Sequence, residues 1–374
     1  MHRGIIAEID LGAVSANLRT VKALAGRSAV IAVVKADAYG HGAIEVSETL
    51  VGAGADYLAV AFTEEAVKLR EAGITAPIIV FFDPDLGDIL KYNLIPVLSD
   101  TKTAIAVARE AEKRGTRISV HIKVDTGMGR LGLTDGPARE ILEIAAEKGI
   151  VVEGIMSHLS EAGLADPSFT KLQLDAFTAL KMELLKNGLH IKMFHIANSA
   201  AVMNIPEAHF DAVRPGLMLY GYSPIQTNVG ALHATPLQAI TPLEQVMTVK
   251  ARFISLRRLH AGTPISYART FVAKRESLIG VIAVGYADGF STRFSNNAEV
   301  LVKGKRAPVV GRVCMDVTMI DLTDIDDVDE NDEVVIIGSQ GTESIGADEL
   351  AKRIQTIPYE ILTSLGSRAK RRYL

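Results

Sequence analysis

Between residues 30 and 220 the chain alternates short apolar runs with amphipathic stretches, and this alternation restricts the possible folds more than any other feature. Val30–Lys35, Asp56–Ala61, Pro77–Phe81, Leu94–Leu98, Arg117–Val124, Val151–Ser157, Met193–Ala197 and Asp211–Leu219 are short and bounded by turn residues, which predicts strands. Between them, Thr63–Ala72, Lys102–Arg114, Pro137–Lys148 and Phe169–Asn187 carry apolar residues at helical spacing. Gly73, Gly115, Gly149 and Gly188 follow these stretches, where a helix end favours left-handed backbone. Alternating strands and helices predict parallel βα units. A closed barrel and an open doubly wound sheet both satisfy the pattern, and the count of eight favours an N-terminal (β/α)8 TIM barrel.

Past Pro236 and Pro242 the texture changes to runs rich in Val, Ile and Thr: Glu244–Leu259, Ser277–Gly285, Ala298–Val302, Ala307–Val313, Val317–Leu322 and Glu333–Gly338. Turn residues such as Gly262-Thr263-Pro264 and Lys303-Gly304-Lys305 separate them, and a long helical pattern returns only at Gly346–Arg353. This half is expected to be mainly β. Domains are expected at 1–236 and 237–374, the boundary falling near 232–242, with roughly the first ten residues able to pair with the β domain.

A chain of 374 residues has room for two such domains. Lys plus Arg number 40 against 44 Asp plus Glu, a net charge of -4, which argues against nucleic acid or a membrane surface as partner. Cys314 is the sole cysteine, so an intrachain disulfide and a thiolate metal cluster are excluded, and no metal is expected. Glu8 and Asp10 interrupt the N-terminal stretch, which lacks the apolar core of a signal peptide, and no charge-free window is long enough to span a membrane. A cytoplasmic location is expected. The Arg368-Ala369-Lys370-Arg371-Arg372 cluster reads as a solvated tail, and the acidic run Asp324–Glu333 as an exposed loop.

On a (β/α)8 barrel, residues just past the strand C-termini line the face where catalysis sits. Here those positions hold Lys35, the run Lys123–Arg130, Ser157-His158, Asn198-Ser199 and Arg214-Pro215-Gly216. An ammonium group is disfavoured in apolar surroundings, so a lysine at a buried strand end tends toward the neutral amine that forms Schiff bases. Taken singly, such a lysine snorkels, a histidine is merely hydrogen-bonded and an arginine pairs structurally. Five such positions on one rim argue for a site. The loops after the seventh and eighth strands are the usual phosphate position of this fold; Ser199 opens a helical stretch there and Gly216 permits close backbone approach.

A second pattern competes. Gly127-Met128-Gly129-Arg130-Leu131-Gly132 matches G-x-G-x-x-G after a strand, with Glu153 further on, as in an NAD site. A pyrophosphate needs the helix N-terminus at the glycines, however, and Leu133-Thr134-Asp135-Gly136 intervene before Pro137, the expected first helical residue. An NAD-dependent oxidoreductase therefore remains only the outside reading. In the β half, Tyr267 and Tyr286 stand beside glycine turns, where a tyrosine serves as acid or base if a neighbouring histidine or arginine tunes it.

Together, Val33–Gly42, Val124–Gly132, His195–Ala201, Arg214–Gly221, Gly285–Gly289 and Gly311–Asp321 resemble segments of alanine racemase, a fold-type III pyridoxal phosphate enzyme, in the family order and across nearly the whole chain. The resemblance implies pyridoxal 5'-phosphate held by Lys35 as an internal aldimine, with Lys35 as the base on one face of the substrate α-carbon. It implies that Tyr267, reaching in from the partner in a homodimer with shared active sites, is the opposing acid/base, supported by His158 and Arg214. Arg214 would also face the pyridine nitrogen; a cationic partner leaves that nitrogen unprotonated and favours reprotonation at the α-carbon.

By the same resemblance, Tyr39, Ser199, Gly216, Leu217 and Tyr359 would hold the phosphate, with His158 and Asn198 also at the cofactor. Arg130 would contact the cofactor's phenolic oxygen and the substrate. Lys123 matches a lysine that is carbamylated in some members to orient that arginine. Met315 would bind the substrate carboxylate through its N–H. Tyr286, with Tyr267 and Tyr359, would narrow the mouth, where Arg312 and Asp316 lend support. Ala268 departs from the family, which commonly has glycine there, and this bears on the loop carrying Tyr267. The implied reaction is two-base interconversion of L- and D-alanine, supplying D-alanine for peptidoglycan. A broad-specificity or serine racemase of the same fold is the alternative, and the β half argues against a bare cofactor carrier.

Overall fold

The computed structural model describes residues 4–134, 136–225 and 242–374, so the expected boundary at 236/237 lies outside the described residues. The chain groups into two compact units, one of Val14–Ala36 with Ala43–Glu244 and one of Met1–Ala13 with Asp37–Gly42 and Gln245–Leu374. Among the described residues no helix is long and apolar enough to cross a membrane.

Strand β1 (Ile6–Ile9) belongs to the second unit, and helix α1 (Leu11–Ala25) leads from it into the first. The first unit is then built from β2 (Ala29–Val33), α3 (Ala43–Gly52), β3 (Tyr57–Val60), α4 (Thr63–Glu71), β4 (Ile78–Val80), α5 (Leu86–Lys91), β5 (Ile95–Leu98), α6 (Thr101–Lys113), β6 (Ile118–Lys123), α7 (Pro137–Ala145), β7 (Ile150–Met156), α8 (Ser168–Lys186), β8 (Met193–His195), α9 (Ser199–Asn204) and β9 (Ala212–Val213); the short turn α2 (Lys35–Tyr39) after β2 begins in this unit and passes at Asp37 into the second. All eight strands are parallel, in the order β8-β7-β6-β5-β4-β3-β2-β9. The Asp211 N–H donates to Phe194 O at 3.0 Å and the Arg214 N–H to Ala197 O at 2.9 Å, tying the two ends of the ladder into a TIM-type barrel. Every residue of β3, β4 and β5 is buried, which is why these strands read as unbroken apolar runs.

Helix starts follow local chemistry. The Asp100 carboxylate accepts the Thr103 N–H at 2.7 Å to cap α6, and Pro137 occupies the first turn of α7. α7 buries Ala138, Ile141 and Ile144 on one stripe. Three glycines expected after helices do adopt positive φ: Gly73 at +94°, Gly115 at +66° and Gly188 at +76°. Gly149 does not serve this way, since α7 ends at Ala145 and its cap is Ala146. Its role is steric: a Cβ there would lie 1.8 Å from Ala108 O of α6. Gly149→Ala should therefore cost about 3 kcal/mol or more through overpacking, read as a lowered denaturation midpoint. A midpoint equal to wild type would mean that α6 yields at no cost.

In the second unit, β10 (Met247–Leu259), β11 (Pro264–Ile265), β12 (Phe271–Val272), β13 (Ser277–Ile282), β14 (Glu299–Val302), β15 (Lys305–Pro308), β16 (Thr318–Asp321), β17 (Glu333–Gln340), β18 (Glu343–Ile345), α10 (Ala347–Ile354), α11 (Pro358–Arg368) and β19 (Lys370–Tyr373) form a mostly β body. Its main sheet has nine strands, with β1 antiparallel to β10 and parallel to β19.

Two expectations are corrected. The basic C-terminal cluster is not a solvated tail: Lys370–Tyr373 is a strand, and Arg371 pairs with Asp37 at 2.5 Å. The last barrel strand is far shorter than Asp211–Leu219, because Pro215 lacks an N–H for the ladder and Leu217–Tyr220 coils into a 3-10 turn.

Candidate active site

β2 runs directly into Lys35, and the backbone then turns left-handed, with φ of +52, +54, +53 and +55° at Ala36, Asp37, Ala38 and Tyr39. Four such non-glycine residues cost about 4–8 kcal/mol, so the surroundings must hold the turn. Within the barrel unit, Glu65 does so at one end, its Oε1 accepting the Ala36 N–H at 2.6 Å. In the other unit, Arg371 Nε donates to Gly40 O at 2.9 Å and His41 Nδ1 lies 2.9 Å from Ala38 O. Burial, reinforced by the charge of Arg130, lowers the Lys35 pKa, while Glu65 opposes the shift.

The expected rim residues of the barrel unit converge on one another electrostatically. Lys123, 3% exposed in β6, is pushed down to about 8, chiefly by burial and then by the charges of Arg130 and Arg214. Lys123 Nζ and the Arg130 guanidinium both lie over the Phe82 ring, at 6.0 and 5.9 Å from its centroid. Arg214 is buried and has no carboxylate partner among the described residues: Nη1 donates to His195 O at 2.8 Å and Nη2 to Ser157 O at 2.5 Å. Nη1 also faces His195 Nδ1 at 2.7 Å and Nη2 faces His158 Nδ1 at 3.4 Å, so the terminal nitrogens are engaged and Nε–H is left for another acceptor. Burial lowers the Arg214 pKa to about 9.

After β8, the Asn198 side chain caps α9 by accepting the Ala201 N–H at 3.1 Å and donates to Leu159 O at 3.2 Å. Its side chain thus serves to place Ser199. The Ser199 hydroxyl accepts the N–H groups of Gly216 at 2.8 Å and Met218 at 3.4 Å, which leaves its own proton to donate. Leu217, next along, is buried.

The glycine-rich run is spent on its own loop. Asp125 Oδ1 accepts the N–H groups of Gly127 at 2.9 Å and Met128 at 2.7 Å, and Oδ2 that of Arg130 at 3.1 Å. A Cβ on Gly132 would lie 2.6 Å from Asp125 N, so glycine is needed for the loop to fold back on β6. The helix begins at Pro137, beyond the glycines. Those N–H groups encircle a carboxylate of the chain, and the dinucleotide reading loses its physical basis.

The second unit holds the other expected residues. The Tyr39 and Tyr359 rings lie 5.7 Å apart, and burial raises both phenol pKa values. Tyr267, 70% exposed, stands on a strained turn with Ser266, Ala268 and Arg269 at φ of +64, +57 and +53°. Tyr267, Tyr286, Arg312 and Met315 line one pocket of about 620 Å³. The Met315 N–H has no protein acceptor among the described residues, which leaves it available to a ligand. Asp316 is exposed and does not line this pocket.

Glu65, Phe82, His121 and His195 received no role from the sequence, though His195 opens one of its motifs. Burial holds His121 at about 4 and His195 and His158 well below the usual histidine value, with the charge of Arg214 lowering all three further. Unfolded histidines protonate near pH 6.5 and these do not, so stability should fall as pH drops from 6.5 toward 4. His41, also buried and held at about 4, adds to the same loss, and each such ring contributes a limiting slope of about 1.4 kcal/mol per pH unit once the pH is well below 6.5. Denaturant midpoints measured from pH 7 to 5 would check this; a level profile would mean that these rings are already charged when folded.

Residues 9–224 match the family described as alanine racemase, N-terminal domain, and residues 246–373 match alanine racemase, C-terminal domain. The alanine racemase of Thermodesulfovibrio yellowstonii is 50% identical, covering 100% of this chain and 99% of that protein. Alanine racemase from D-cycloserine-producing Streptomyces lavendulae superposes with a TM-score of 0.91 at 35% identity, covering 100% and 98%. That of Bartonella henselae, solved with covalently bound pyridoxal phosphate, gives 0.87 at 32% identity, covering 99% of each chain. With both of its halves matched in order, and at this level of identity, this chain belongs to the alanine racemase family.

Proposed function

We propose that this protein interconverts L- and D-alanine on pyridoxal phosphate, as a cytoplasmic homodimer with shared active sites that supplies D-alanine for peptidoglycan. The observation that carries this reading is the electropositive rim of the barrel. Lys35, Lys123 and Arg214 are each perturbed by neighbouring cations or by burial, while the carboxylates of Asp125 and Glu65 are occupied by backbone N–H groups. A cofactor phosphate and an amino-acid carboxylate supply the missing negative charge.

The residues present fit pyridoxal phosphate. A lysine biased toward its neutral amine, a serine hydroxyl with its proton unassigned and a buried guanidinium with Nε–H unused are the donors such a group needs. When bound, the cofactor supplies a conjugated electron sink that acidifies the α-hydrogen of the amino acid attached to it. Lys35 would carry the cofactor and, once released, take or return the α-proton on one face as a neutral amine. The partner subunit's Tyr267 would act on the other face. Arg214 would donate Nε–H to the ring nitrogen and, as a cation, keep that nitrogen unprotonated, which limits the sink and favours return of the proton to carbon.

Ser199, Tyr39 and Tyr359 would hold the phosphate through their hydroxyls, with Gly216 and Leu217 contributing backbone. Arg130 would contact the phenolic oxygen and the substrate, steadied by Phe82 and by Lys123, whose lowered pKa suits carbamylation. The Met315 N–H would bind the substrate carboxylate. His158 would support Arg214 and Tyr267, while Tyr286, Arg312 and Asp316 would shape the entrance.

Incubation of the cofactor-loaded enzyme with L-alanine, followed by chiral chromatography, should show D-alanine rising to near-equal amounts. L-Serine should turn over about 10–200-fold more slowly, since one hydroxyl on a small side chain permits only that much discrimination. No D-alanine from loaded enzyme, or faster turnover of serine, would overturn the assignment.

A further inference from the structure

The interior of the barrel holds a buried polar chain that none of the expected roles uses. Arg214 Nη1 lies 2.7 Å from His195 Nδ1, and His195 Nε2 lies 2.8 Å from His121 Nδ1. Both imidazoles are fully buried, with ring centroids 4.9 Å apart in an edge-on arrangement. An arginine N–H can only donate, so His195 Nδ1 must accept. A neutral His195 then carries its proton on Nε2 and donates it to His121 Nδ1. His121 in turn must carry its proton on Nε2, an atom that is buried and has no acceptor among the described residues. One donor direction thus determines two tautomers.

The backbone is shaped around this chain. A Cβ on Gly154 would lie within 2.7–2.8 Å of three atoms of the His121 ring, so only glycine admits the ring at that position of β7. The β6–β7 pairing shifts there: Val120 pairs with Val152 but His121 pairs with Gly154, which makes Glu153 the extra residue of a bulge. Bulges re-aim side chains. The Glu153 carboxylate accepts from Tyr57 Oη at 2.7 Å and Lys192 Nζ at 2.8 Å, and its charge acts on His121. The charged groups acting on His121 are Glu153, Arg214 and Lys192; those acting on His195 are Arg214 and the His121 ring. Glu153, which mimics the ribose-binding acid of a dinucleotide site in sequence, stands at the far end of this chain.

We propose that His121 is a positioning residue for Arg214, acting through His195 to fix the direction of the guanidinium. The design has a chemical logic. A carboxylate in contact would orient Arg214 but also neutralise it, whereas two neutral imidazoles orient it and leave its charge intact for a ligand. Among the described residues, the one carboxylate acting on these rings is that of Glu153, and it is separated from the guanidinium by both of them. The proposal rests on the reading of Arg214 as the residue facing the cofactor's ring nitrogen.

The test uses holoenzyme labelled with 15N-histidine, in which long-range proton–nitrogen spectra report each tautomer. His195 and His121 should both show the proton on Nε2 and should not titrate between pH 6 and pH 8. His121→Leu should lower kcat about 10–100-fold with KM for alanine nearly unchanged, and should shift the absorbance maximum of the bound cofactor. His121→Asn, whose Oδ1 replaces Nδ1 as acceptor, should recover kcat to within a few-fold and restore the absorbance maximum. A proton on His195 Nδ1, titration of either ring in that range, wild-type behaviour of the leucine variant, or equal impairment of both variants would overturn it. Failure of the underlying reading shows differently: Arg214→Lys would leave the spectrum and kcat unchanged while the wild-type tautomers stand as described.

Discussion

Lys35→Ala is expected to remove the visible absorbance of lysine-bound cofactor and to lower racemisation by on the order of 10⁴-fold or more. The magnitude follows from two losses at one atom. The variant has no amine to carry the cofactor at the end of β2 and no base on that face of the substrate. The left-handed turn that follows Lys35 aims its amine, and alanine keeps the turn while deleting only the nucleophile. Lys123 is a second lysine of the same charge cluster, and its pKa of about 8 leaves much of it neutral in mildly alkaline solution. Full absorbance retained in Lys35→Ala, and lost on the further change Lys123→Ala, would move the assignment to Lys123.

Tyr267→Phe is expected to cost about 10²–10⁴-fold, and unequally for the two enantiomers, because one face of the substrate loses its acid/base while the other keeps Lys35. Exchange of the α-hydrogen that stays equal from both enantiomers would count against two bases. The same pair of variants tests the shared site. If Tyr267 serves the partner's Lys35, a mixed dimer of Lys35→Ala with Tyr267→Phe contains one site with both wild-type groups. Random mixing should then restore about a quarter of wild-type activity from two nearly inactive parents. Activity that remains at the parents' level after subunit exchange would place both groups in one chain. The exposure of Tyr267, at 70%, supports the trans arrangement, since a side chain so poorly covered by its own chain is free to enter another.

Much of the barrel could be read directly, for a physical reason. Parallel strands buried on both faces must be short and continuously apolar, and Leu58, Ile79 and Val97 mark three of them. Lys35 and Arg214 could be read because they interrupt or follow such runs. The tail could not: Lys370–Tyr373 carries three charges yet forms a strand, because the edge of β1 offers a ladder and Asp37 and Glu8 offer counter-charges. Gly149 was open to misreading for a similar reason, its role being set by Ala108, far away in sequence.

By itself, then, the sequence determined the eight alternating strand-helix units, the mainly β second half and the residue types at the strand ends, because periodicity and strand-end chemistry are local properties of a chain, whereas closure into a barrel rests on hydrogen bonds such as Asp211 N–H to Phe194 O between distant strands. It also supplied the family, through motifs in a preserved order. Only the tertiary structure decided that Asp125 consumes the glycine-loop N–H groups, that residues 37–42 join the β body, and that the Arg214 guanidinium meets imidazoles and backbone carbonyls. These outcomes depend on which donors and acceptors meet across distant strands, and hydrogen-bond direction is settled only when both partners are in place.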